Sequence, residues 1–118
     1  MFTILLLAIV FSVNAELHSA YHSTNGIFNK ISKSKHKNLN ITYHDDIMVV
    51  DINSHLPRDV LIVANEHARE RITGEVALYF LEKLHKPTRR ITVIPVLNVW
   101  GRKRVEHGHP CLRKNSHG

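Results

Sequence analysis

The chain has 118 residues and a mass of 13.6 kDa; 43% of the residues are hydrophobic, 7% aromatic and 22% charged. That length holds one small domain and excludes a two-domain enzyme, and the share of Ile, Leu and Val excludes disorder throughout. Sixteen Lys and Arg against ten Asp and Glu give a net charge of +6, ten histidines make that charge sensitive to mild acid, and one cysteine excludes an internal disulfide framework.

Met1 to Ala15 carries no charged side chain, and Ile4 to Phe11 is continuously apolar. This run is shorter than the roughly 20 apolar residues a membrane-spanning helix needs. Small residues at Val13 and Ala15 precede Glu16, so residues 1–15 read as a signal peptide and the mature chain as secreted; the competing reading is a buried N-terminal strand or helix. In an oxidising compartment Cys111 is a thiol without its partner.

Residues 16–38 form a polar segment with lysines at 30, 33, 35 and 37, part of it helical in pattern because Ile27, Phe28 and Ile31 share one face. Leu39, Ile41 and Tyr43 alternate with polar residues, Asp45-Asp46 suggests a turn, and Ile47 to Val50 is apolar, which together predict an edge hairpin over 39–52. Val60 to Ala64 is a short β-branched run without alternation, as in a strand covered on both faces of a parallel sheet. Ile72, Val76, Tyr79, Phe80 and Leu84 then follow helical spacing up to Pro87. Ile91 to Leu97 predicts another buried strand, although Pro95 removes a ladder donor and argues for an edge or a bulge. Strand, helix and strand at this spacing define an α/β class with a βαβ unit. Residues 98–118 show turn signals and little periodicity, and from Lys86 onward eight Lys or Arg against one acid give this stretch an excess of +7.

In α/β sheets ligands bind beyond the carboxyl ends of the strands, where His67 falls, with Glu70 three residues on. Imidazole nitrogen and carboxylate oxygen both bind Zn²⁺, and a carboxylate at a helix start is held ionised by the macrodipole. Spacing alone is weak, because Glu70 also suits a plain helix start, and a catalytic zinc needs three protein ligands. His107 and His109 fit a solvated loop better than a ligand pair.

The stretch Glu66-His67-Ala68-Arg69-Glu70-Arg71-Ile72-Thr73-Gly74-Glu75 resembles the zinc-binding signature of the zinc carboxypeptidases, the family of carboxypeptidases A and B. Val93 to Asn98 resembles the strand that follows that signature, and Gly101-Arg102, Val105-Glu106, Gly108, Cys111 and Arg113-Lys114-Asn115 continue in the order of a subgroup. Residues 39–118 thus resemble part of a zinc carboxypeptidase domain, which implies a partial mixed sheet and a secreted enzyme that removes C-terminal residues from peptides. The resemblance makes His67 and Glu70 metal ligands, Arg69 a substrate-subsite arginine, and Arg113 both substrate-binding and the group that stabilises the oxyanion, a role suited to a permanently charged fork of donors. It also implies a third ligand, an Asn-Arg pair, a tyrosine and a general-base glutamate downstream of Gly118, along with the pocket that sets side-chain preference and a partner for Cys111. Val99-Trp100 replaces the polar turn usual after the strand asparagine. The chain alone is therefore expected to be inactive.

The basic composition supports a different reading, a secreted fragment without enzymatic activity that binds polyanions weakly through Arg102-Lys103-Arg104 and Arg113-Lys114. Aromatic side chains for base stacking are nearly absent there, which excludes specific nucleic-acid readout.

Overall fold

The computed structural model describes residues 20–36 and 38–118, so the signal-peptide reading of residues 1–15 lies outside the described residues. The elements run α1 (Thr24–Ser32), β1 (Leu39–His44), β2 (Ile47–Ile52), β3 (Arg58–Val63), α2 (Arg71–Lys83), β4 (Arg90–Ile94) and α3 (Val99–Glu106). The four strands form one mixed sheet in the order β1-β2-β4-β3. β1 and β2 are the expected antiparallel hairpin, turning at Asp45 with φ 54°, a left-handed conformation that Asp tolerates better than most residues. β2 pairs antiparallel with β4, and β4 pairs parallel with β3, α2 providing the crossover. Among the described residues no helix is long and apolar enough to cross a membrane.

The core lies on one face of the sheet. Met48, Val50 and Ile52 of β2 and Ile91 and Val93 of β4 meet Ala77, Leu78 and Leu81 of α2 and Ile27 and Ile31 of α1. α1 begins at Ser23, whose hydroxyl accepts from Gly26 N, and its apolar stripe is fully packed, Ile27 being 0% exposed. On the opposite face Asp51 accepts from Thr92 Oγ1 at 2.5 Å and from Arg90 at 3.2 Å. Burial opposes ionisation of Asp51, but the bonds from Arg90 and Thr92 and the charges of Arg90 and Arg58 hold its carboxyl below the ordinary value.

Three expectations change. β3 is not covered on both faces: Leu61 is 55% and Val63 44% exposed, because β3 is the terminal strand and only β4 pairs with it. β4 is interior and not an edge. Its proline falls just past the strand, and pairing resumes beyond it, with Leu97 N donating to Ala64 O and Asn98 N to Asn65 O, both at 3.0 Å. Finally, the helical stripe Ile72, Val76 and Tyr79 faces outward, at 53, 60 and 62% exposure, while Gly74, Ala77, Leu78 and Leu81 face the core. Both stripes obey the helical period, and the small residues on the second allow the closer approach. A Cβ on Gly74 would stand 3.2 Å from Ile27 Cδ1 and 3.0 Å from Arg102 Nη1.

The segment after β4, expected to be irregular, contains α3. Asn98 Oδ1 accepts from Gly101 N at 2.9 Å as its cap, and the helix buries Val99, Arg102 and Val105. A charged residue in the buried stripe hid its period from the sequence.

Candidate metal centre

The turn between β3 and α2 is shaped by two asparagines. Asn65 adopts φ 55° and is 1% exposed; its Nδ2 donates to His67 O at 2.9 Å, and its backbone N donates to Thr73 Oγ1 at 2.8 Å. Asn98 lies at the matching end of β4, where its Nδ2 donates to Glu66 O at 3.3 Å and to Lys114 O at 2.9 Å. Ala68 N donates to Arg113 O at 3.4 Å. Gly101 lets α3 lie against this turn, since a Cβ there would stand 2.7 Å from Ala68 Cβ. The chain around Arg113 is thus fastened to the loop that carries His67.

Glu70 occupies the N-cap of α2 but makes no capping bond with its side chain. Its carboxylate turns instead to His67, with Nδ1 3.0 Å from Oε2 and 3.2 Å from Oε1. Arg113 Nη2 donates toward the other ring nitrogen, Nε2, at 3.4 Å. Both contacts suit one neutral tautomer, with the proton on Nδ1. The side chains of His67 and Glu70 are 35% and 43% exposed, so solvent and ions reach them. Two ligand atoms on a tetrahedral zinc stand about 3.4 Å apart at ordinary Zn–N and Zn–O lengths. The observed separations of 3.0 and 3.2 Å require almost no rearrangement, so the pair fits the ion.

The structure therefore brings His67, Glu70 and Arg113 together. Arg69 is exposed on the same turn. His107 Nδ1 donates to Lys103 O, and His109 is exposed. Among the described residues no group of three or more His, Cys, Asp or Glu is placed to hold a metal.

From sequence Asn65 received no role, and Asn98 entered only as the end of the stretch that resembles the family strand. The available signal was that Asn both accepts a left-handed φ and caps helices. Arg102, read as part of a surface basic cluster, is 0% exposed. It donates to Asn65 Oδ1, to Arg71 O at 3.0 Å and to His22 O at 2.8 Å, and its Nε forms an ion pair with Glu106 at 3.2 Å without the alignment of a hydrogen bond. Desolvation lowers its pKa, while Glu106 and Glu75 oppose that shift. Glu75 also accepts from His22 N at 2.7 Å and pairs with His22 Nδ1 at 2.8 Å, and Glu106 accepts from Thr24 N at 2.7 Å. This buried network ties α2, α3 and the start of α1 together behind the site.

A mixed sheet with this order, its parallel pair opening onto a His-x-x-Glu turn, is a carboxypeptidase-like fold. The solved structures that share it include bovine thrombin-activatable fibrinolysis inhibitor in complex with tick carboxypeptidase inhibitor, with a TM-score of 0.68 and 20% identity over 84% of this chain. A second structure of thrombin-activatable fibrinolysis inhibitor gives 0.66 and 22% over 80%. This chain spans 38% and 30% of the lengths of those two chains. No family model and no curated protein matches the sequence.

Proposed function

We propose that the chain is the N-terminal part of a secreted zinc metallocarboxypeptidase that removes C-terminal residues from peptides. The observation that carries this reading is the meeting of His67 Nδ1 with the Glu70 carboxylate at 3.0 Å while Arg113 reaches the same imidazole. His67 and Glu70 hold the metal. Zinc, when bound, polarises a carbonyl and lowers the pKa of water. Arg113 offers a fork of N–H donors to negative charge growing on the scissile oxygen, and the Asn98 and Ala68 bonds fix the backbone from which it reaches. Arg69, exposed beside the metal ligands, orients the substrate. This reading assigns the general base to no residue of the chain, so the 118-residue chain alone is expected not to hydrolyse peptides.

Calorimetric titration of the chain with Zn²⁺ tests the reading. Weak binding heat that disappears in His67→Ala/Glu70→Ala supports it. Heat that is absent, or unchanged in the double variant, contradicts it.

A further inference from the structure

The opposite end of the β3–β4 pair, about 20 Å away at roughly 3.3 Å per strand residue, has a different character. There the last turn of α1 and the loop toward β1 face the end of α2. Lys30, Lys33, Lys35 and His36 line a cavity of about 430 Å³ together with Glu82. His36 also lines an adjoining cavity of about 270 Å³, together with Lys86 and Pro87. All four lysines are exposed, and no ion pair among the described residues engages any of them. The ion pairs of the described residues are instead made by arginines and histidines, among them Arg89–Asp59, Arg90–Asp51 and Arg102–Glu106. Among the described residues Glu82 is the one acid lining this groove, against four lysines, so its field is positive.

We propose that this two-part groove, lined by Lys30, Lys33, Lys35, His36 and Lys86, binds a linear sulfated polysaccharide. Lysine ammoniums are compact charges suited to sulfate groups, and two cavities sharing one wall accept successive sulfates of a single chain. Among the described residues the lining holds no Phe, Tyr or Trp, so it offers single-stranded nucleic acid no large stacking platform. None of the exposed large hydrophobic residues lies in it, so it offers a lipid surface no apolar anchor. The structure thereby moves the basic binding surface away from Arg102, whose charge is spent internally. This inference does not rest on the peptidase reading.

Titration of the full chain with a heparin oligosaccharide tests it. Lys33→Ser/Lys35→Ser/Lys86→Ser lowers affinity by about tenfold or more and flattens the salt dependence, because each lost contact releases one counterion fewer. Lys103→Ser/Arg104→Ser/Lys114→Ser, an equal change in charge, lowers affinity less than about threefold. Equal losses in both variants would overturn the proposal, as would tighter binding to a single-stranded oligonucleotide or to phosphatidylserine vesicles. Should the lysine variant unfold, amide shifts of the unmodified chain decide: changes at 30–36 and 82–87 on adding heparin support the groove, and changes confined to 99–117 contradict it.

Discussion

β3 and β4 lie side by side in parallel register and are built from the same kind of residue, yet they have opposite surroundings. Thr92 of β4 is 2% exposed, whereas Leu61 of β3, its register partner on the same face, is 55% exposed. The difference is one neighbour: β4 has β2 on its far side, and β3 ends the sheet. A β-branched run thus specifies a strand, and its burial depends on what lies next to it. The outer side of β3 continues into an apolar cavity of about 250 Å³ bounded by Ile62, Val76 and Phe80, close to the exposed face of α2. An exposed apolar edge of this kind invites association.

The largest expected effect tests what holds the covered side together. Arg102→Met leaves Glu106, Asn65 Oδ1 and two carbonyls without their donor, and urea denaturation is expected to show a loss of about 3–5 kcal/mol. A loss below about 1 kcal/mol would make the network incidental. Next comes a matched pair of truncations across the sheet. Met48→Ala, at a position 0% exposed, is expected to cost about 2–5 kcal/mol. Leu61→Ala on the open edge should cost under about 0.5 kcal/mol, and Leu61→Lys should reduce light scattering at high protein concentration without lowering stability. Similar losses from Met48→Ala and Leu61→Ala would erase the contrast.

Asp51 gives a smaller effect with a pH signature. Its folded pKa lies below the unfolded value, so as pH falls the unfolded chain takes up the proton first. Its contribution is complete above about pH 4 and is lost as pH falls through the folded value. Asp51→Asn should therefore cost on the order of 2 kcal/mol at neutral pH and flatten the acid limb of the stability curve. An unchanged acid limb would remove Asp51 from the account. A second local probe is Asn98→Asp, which keeps the cap on Gly101 but loses the donors to Glu66 O and Lys114 O and sets a buried carboxylate against those two carbonyls. Stability should fall by about 1–3 kcal/mol, while hydrogen exchange at Ala68 N, which donates to Arg113 O, speeds up. Unaltered exchange would show that Asn98 does not fasten the Arg113 segment.

The hairpin and the βαβ unit were legible because each is written in local spacing, alternation in one and helical period in the other, whereas the His67–Glu70 pair was singled out by resemblance because its spacing alone is weak. What was illegible depends on distant neighbours. β3 and β4 could not be ranked by burial, and either stripe of α2 could have faced inward until the small side chains of Gly74 and Ala77 met Ile27 and the sheet. α3 escaped notice because Arg102 occupies its buried stripe, and its partners come from as far apart in sequence as residues 22 and 106. Arg113 was assigned by resemblance alone. Its place beside His67 comes from backbone bonds at Ala68 and Lys114, which no side-chain pattern encodes.

The imidazole nitrogens of His67, followed by ¹⁵N NMR as Zn²⁺ is added, address the metal assignment most directly. The account predicts that Nδ1 shifts on binding, that Nε2 takes up the proton, and that Glu70→Gln weakens the response. Zinc that shifts other histidines while leaving His67 unchanged would contradict it.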